Sequence, residues 1–336
     1  MTLESSQELT ETYTDQLNSP YYVIWWITNQ CNLNCVHCVN DSGPYQKFDD
    51  ELSYDEIMNI CKQLLENGVP YGTITGGEPL MHPHFFEVMK YLREKGMNLN
   101  LETDAVLINK EIAKKLASLK FQGIHISIDG VSQNTYGIVR RTINGSADLT
   151  KVFDAVKMLS DEEVTVAVTF TPTKFSVAEI GKLIDKIVEL GAKILFTGRL
   201  MRIGRAAGNW KWLSPSEEQY KTFFEDIQKK EIEYGKRIKI VPYSESISKE
   251  LEFRMDNPAA NFVIMPNGKV KISSALPFIC ADLRKHSLRE AWDRYKLAWK
   301  SPIVRDFISR TRKDDSLLGF NNQFVELNLE NQKTST

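Results

Sequence analysis

The chain has 336 residues, 42% of them hydrophobic, enough to bury a sizeable core in one large α/β domain or a domain with an appendage. Its 42 basic and 44 acidic residues leave a net charge of −2, which argues against bulk electrostatic partners such as nucleic acid or an anionic membrane. No apolar run approaches the roughly 18–20 residues that span a bilayer. The first twenty residues are polar and acidic, unlike a secretory signal, so the expected location is cytoplasmic.

Short β-branched or aromatic runs then alternate with amphipathic stretches, the pattern of parallel βα units. Tyr21 to Ile27 reads as the first strand and leads directly into a cysteine-bearing loop. Ser53 and Glu56 form a capping box for the next helix, which Gly68 closes. Tyr71 to Thr75 is the second strand, running into Gly76-Gly77-Glu78-Pro79. Pro83 opens a helix that Gly96 ends, Met97 to Glu102 is the third strand, and a helix from about Asn109 leads to the fourth, Gln122 to Ile128. Leu149 to Leu159 and Val177 to Leu190 read as helices, Val164 to Phe170 and Ala192 to Phe196 as strands. Such repeats close into a barrel or open into a doubly wound sheet, and periodicity alone does not separate the two.

After Thr197 the rhythm breaks into a glycine-containing loop bearing Arg199, Arg202, Arg205 and Lys211, a surface suited to an acidic leader peptide or a phosphate. A long charged helix follows from Pro215 to about Tyr234. Phe262 to Ile272 reads as a hairpin turning at Pro266-Asn267-Gly268, and Ser287 with Glu290 caps another helix. The expected organisation is a polar tail (1–20), a barrel-type domain (21–200), a connector with a long helix (201–260), a small α+β extension (261–312) and a second polar tail (313–336).

Three of the five cysteines fall within eight positions: Cys31, Cys35 and Cys38. A loop after a strand of a parallel sheet is where such folds place their sites. Thiolates at this spacing can wrap one face of an iron–sulfur cubane, whereas a structural zinc site wants a fourth Cys or His. His37 is the only neighbour, and it abuts Cys38. A zinc-stabilised binding module is therefore the remote alternative. Cys61 falls on the apolar face of its helix with Ile57, Ile60 and Leu64 and reads as a core thiol.

The CxxxCxxC segment after the first strand resembles the radical S-adenosylmethionine superfamily, with His37 in the aromatic-type slot before the third cysteine. The resemblance implies a partial (β/α)6 TIM-type barrel with a small C-terminal α+β extension. It also implies one [4Fe–4S] cluster on Cys31, Cys35 and Cys38, with one iron open to S-adenosylmethionine. Gly76-Gly77-Glu78-Pro79 is similar to the family segment that meets the methionine portion. Ser127 and Asp129 are similar to the segment that meets ribose and carboxylate, and Arg140 resembles the arginine that pairs with the carboxylate. Thr103 keeps a ribose-facing position, but Thr103-Asp104-Ala105 stands where the family often has Thr-Asn-Gly, so that turn is expected to be lost.

Downstream, Ile203 to Ala206 (IGRA), FVIMPNGKVKIS and SLREAW resemble the SPASM/twitch branch of peptide and cofactor maturases. Ser273 and Ser274 stand where that branch carries cysteines for an auxiliary cluster, so the extension reads as degenerate. Cys280 remains nearby and is a candidate hydrogen donor to a substrate radical. The resemblance implies an enzyme that modifies a ribosomally made peptide, by cross-linking or epimerisation, served by an electron donor such as flavodoxin or ferredoxin. A separate protein for peptide recognition is a further expected partner. A small-molecule substrate (sugar, nucleotide or tetrapyrrole) is the alternative.

Overall fold

Six strands follow one another in parallel and in sequence order: β1 (Tyr22–Trp26), β2 (Tyr71–Thr75), β3 (Asn98–Thr103), β4 (Gly123–Ser127), β5 (Val166–Phe170) and β6 (Ile194–Gly198). They are seen in a computed structural model that describes residues 14–329. Helices α1 (Tyr54–Glu66), α2 (Phe85–Glu94), α3 (Lys110–Ser118), α4 (Gln133–Val139), α5 (Leu149–Asp161) and α6 (Ile180–Glu189) provide the crossovers. Each presents an apolar stripe at helical spacing. On α6 it is Ile180, Leu183, Ile184 and Ile187, all fully buried, at roughly 2 kcal/mol per aliphatic side chain removed from water.

The parallel run does not stop at six. After α7 (Glu217–Tyr234), β7 (Lys239–Tyr243) adds beyond β6, and β8 (Asn261–Ile264) pairs in parallel with the opposite edge of β1. The expected connector therefore contributes a strand to the sheet. Lys239–Tyr243 reads weakly in the sequence because it is short and contains Pro242, which only an edge strand tolerates.

The expected hairpin forms between β8 and β9 (Lys269–Lys271), with Gly268 supplying the positive φ of +79° that its turn requires. Antiparallel pairing continues to β10 (Phe278–Asp282), and β11 (Val325–Glu326) closes that edge. Helices α8 (Ile247–Asp256), α9 (Leu288–Lys300) and α10 (Pro302–Thr311) complete the extension. Residues 313–329 are not a loose tail: Asn321 is fully buried and β11 lies against Phe278–Ile279.

The sheet has two chemically distinct faces. On β1, Val23 and Trp25 join the core shared with the helices, while Trp26 faces inward with Val263, Met265 and Ile279. On β3, Leu99 and Leu101 pack towards the helices, which leaves Asn98, Asn100 and Glu102 on the inner face. The capping box of α1 is present, and its Glu56 also accepts 2.6 Å from Arg284 Nε, tying the extension to the barrel. Among the described residues no helix is long and apolar enough to cross a membrane.

Candidate cluster and cofactor site

The loop after β1 is held open by its own polar ties. Ser42 donates to Asn29 at 2.7 Å, Asn29 Nδ2 to the Gln46 carbonyl at 2.6 Å, and Cys31 N–H to the Gly43 carbonyl at 3.1 Å. This turns Cys31, Cys35 and Cys38 towards one cavity of about 240 Å³ at the ends of the parallel strands. Each thiol accepts one N–H: Cys31 from Leu33 N at 3.4 Å, Cys35 from Arg140 Nη1 at 3.6 Å, Cys38 from Ser42 N at 3.4 Å. Burial pushes the Cys31 thiol above its usual range and Cys35 up to about 12. These thiols therefore stay protonated until a metal displaces the proton.

The glycines of the second loop serve close approach. A Cβ on Gly77 would stand 2.1 Å from the Gln30 carbonyl oxygen, and one on Gly76, at φ +147°, would stand 2.3 Å from that of Thr28. The Gly77 and Glu78 N–H groups donate to these two carbonyls, so the loop continues the strand pairing up to the cavity wall. Glu78 is fully buried behind that wall. It accepts from Thr103 Oγ1, Asp104 N and Leu80 N at 2.9 to 3.0 Å, and burial beside Asp104 pushes its carboxyl up to about 8.

Thr103 lines the cavity but directs its hydroxyl to Glu78. After it, Ala105 takes the left-handed conformation at φ +63° that glycine adopts more cheaply. Asp104 then places Oδ2 3.9 Å from Cys31 Sγ.

Asp129 is fully buried and accepts from Arg140 Nε at 2.5 Å, His37 Nε2 at 3.0 Å and Thr171 N at 2.9 Å. Burial raises its pKa, but Arg140 and His37 outweigh it and hold the carboxyl well below the usual carboxylate range. Asp129 thus anchors the guanidinium rather than opening to the cavity. Gly76, Gly77, Thr103, Ser127 and Arg140 reach the cavity wall; Glu78 and Asp129 support it from behind.

Several supports of the site carry no motif of their own in the sequence. Gly204 packs so tightly on the cysteine loop that a Cβ would stand 2.3 Å from the Cys38 carbonyl oxygen. Arg205 donates its N–H to that carbonyl at 2.9 Å, Nη1 to Asn34 at 2.6 Å and Nη2 to the Ser42 carbonyl at 2.5 Å. Asn321 accepts from Gly204 N at 2.8 Å and donates to the carbonyls of Val39 and Ser274 at 3.1 and 3.0 Å. The IGRA segment was the one available signal for this clamp. Arg199 and Arg202 are paired with Glu217 and Asp315, and Arg205 lies 3.5 Å from Asp41, so the basic loop is largely neutralised rather than presented to an acidic partner.

Cys280 is not brought to the cavity. It is buried on β10, its thiol 3.5 Å from the Val270 carbonyl, on the face packed against the helices of the extension. Cys61 is a core thiol of α1, as expected.

The Radical SAM superfamily profile matches residues 26–187. Mycofactocin maturase MftC of Mycolicibacterium smegmatis is 30% identical over 223 residues, covering 65% of this chain and 54% of that protein. The antilisterial bacteriocin subtilosin biosynthesis protein AlbA of Bacillus subtilis is 27% identical over 307 residues, covering 89% and 64%. The chain thus spans about half the length of the first of these relatives. Streptococcus suis SuiB, solved bound to precursor peptide SuiA, shares the fold with a TM-score of 0.66 at 15% identity, over 87% of this chain and 68% of that one. The cysteine loop, the glycine loop and strands β2 to β5 all lie inside the matched segment, so residues 26–187 carry the pattern of the radical S-adenosylmethionine superfamily.

Proposed function

We propose that Cys31, Cys35 and Cys38 hold one [4Fe–4S] cluster with an iron left open, and that the chain is a radical enzyme acting on a ribosomally made peptide. The observation that carries this reading is the set of three thiols on one cavity, each already accepting an N–H hydrogen bond. Hydrogen bonds to the sulfurs are a main protein lever on such clusters. Two further buried polar atoms in the same walls, His37 Nδ1 and Asn40 Oδ1, have no hydrogen-bond partner among the described residues.

When bound, the cluster and S-adenosylmethionine supply one-electron cleavage of the sulfonium and a 5′-deoxyadenosyl radical that abstracts hydrogen. The chain's own residues prepare that site. Arg140, fixed by Asp129, keeps a positive charge beside Cys35. Gly76 and Gly77 let the second loop close on Thr28–Gln30 and shape the cavity floor. Leu200 and Ile203 add apolar side chains to the cavity lining. An external one-electron donor of the flavodoxin or ferredoxin kind serves the cluster.

The peptide class rests on the relatives: a maturase, a bacteriocin biosynthesis protein and, by fold, an enzyme solved with its precursor peptide. The test is anaerobic incubation of reconstituted protein with reductant, S-adenosylmethionine and any short precursor peptide found encoded beside its gene. Wild type should release 5′-deoxyadenosine and change the peptide's mass, and Cys35→Ala should do neither. Nucleoside release with turnover of a sugar, nucleotide or tetrapyrrole and an unaltered peptide would overturn the peptide assignment.

A further inference from the structure

The inner face of the barrel carries a group that the cluster site does not use. Glu102 lines the same cavity as the three cysteines, but it lies on β3, two residues before Asp104 at the strand's end, and so sits about 7 Å deeper. It is exposed to the cavity, and among the described residues it has no ion-pair partner. Arg140, the cation in that wall, is committed to Asp129.

Across the sheet from Glu102, in register on β4, is His125. Its ring stacks on Phe196 at 5.1 Å and 17°, and Phe196 stacks on Tyr243 at 6.5 Å and 13°. Three nearly parallel rings from β4, β6 and β7 thus line the inner face beside one carboxylate. Burial lowers the pKa of His125, with Glu102 opposing only in part, so the imidazole adds no competing positive charge near neutral pH. Tyr243 is 55% exposed, which leaves a ring face open to a ligand.

A lone carboxylate in a half-enclosed cavity repels an acidic group and makes burial of a purely apolar one costly. The open face of Tyr243, close enough to Glu102 for the carboxylate to act on its phenol, favours a cation over a neutral group of equal size. Resting on the peptide reading above, we propose that Glu102 and the His125–Phe196–Tyr243 wall form the subsite for a cationic side chain, an amine or guanidinium, of the peptide substrate. The subsite selects which residue of the peptide is carried to the cluster end of the barrel.

The test uses the reconstituted, S-adenosylmethionine-bound enzyme, titrated with pentapeptides Gly-Gly-Xaa-Gly-Gly in which Xaa is Lys, Arg, norleucine or Glu. The Lys and Arg peptides should bind at least about tenfold more tightly than norleucine, the equivalent of one charge-assisted contact. Glu102→Gln should abolish that preference while melting temperature, iron content and S-adenosylmethionine affinity stay unchanged. Equal or absent binding of the four peptides by wild type overturns the proposal, as does a preference that survives Glu102→Gln. Weakened S-adenosylmethionine binding in the variant also overturns it, since the carboxylate then serves the cofactor. Failure of the cluster reading would show separately, as wild-type protein that binds neither iron nor S-adenosylmethionine.

Discussion

At the scale of single residues, the least expected group is Lys271. It is fully buried on β9, between the rings of Trp26 and Phe324, with the Ser274 carbonyl 3.2 Å from its amine and, among the described residues, no ion-pair partner. Burial lowers its pKa from 10.5 to about 7. A lysine whose folded pKa lies below its unfolded value opposes folding while it is protonated. The penalty is full below pH 7 and lifts as pH rises from 7 to 10.5. Wild type should therefore gain stability over that window relative to Lys271→Met, by up to a few kcal/mol. Denaturant midpoints at several pH values check this, and parallel curves for the two proteins would refute it. Such a residue was not legible in KVKIS, where alternation marks a strand but says nothing about which face is sealed. The three cysteines were legible because their spacing is itself the chemical signal. Their partners were only partly so: Asp129 and Arg140 were assigned to the cofactor, whereas the folded chain first uses them to hold each other and Cys35.

At the scale of elements, the site depends on segments remote in sequence. Asn321 joins the cysteine loop at Val39, the loop after β6 at Gly204 and the extension at Ser274. Asn321→Ala leaves two buried carbonyls and one N–H without that partner, at about 2–4 kcal/mol. The variant should melt earlier and lose iron to a chelator several-fold faster than wild type. Unchanged iron loss at the same degree of folding would show that the tie does not reach the cluster loop. Capping boxes at Ser53 and Ser287 and the hairpin at Gly268 were readable because each is a local device with a fixed residue offset. The pairing of β7 with β6 and the seating of Asn321 were not, because both are set by contacts between segments that the sequence separates.

At the scale of the whole molecule, alternating strands and helices announced parallel βα units, and resemblance to a family supplied the barrel that periodicity left open. The structure extends that frame to eight parallel strands and welds the extension onto it through β8, which pairs directly with the strand preceding the cysteine loop. The extension is therefore part of the sheet that aims the cysteines. The two remaining cysteines lie singly in the core, Cys61 on α1 and Cys280 on β10, so the account places one cluster on this chain. The most direct test is low-temperature electron paramagnetic resonance of anaerobically reconstituted, reduced protein, with iron counted, before and after S-adenosylmethionine is added. The expected result is about four irons per chain, a cluster signal that changes when S-adenosylmethionine occupies the open iron, and loss of both in the Cys31→Ala, Cys35→Ala, Cys38→Ala triple variant. Colourless protein with stoichiometric zinc, or a triple variant that retains the signal, would contradict it.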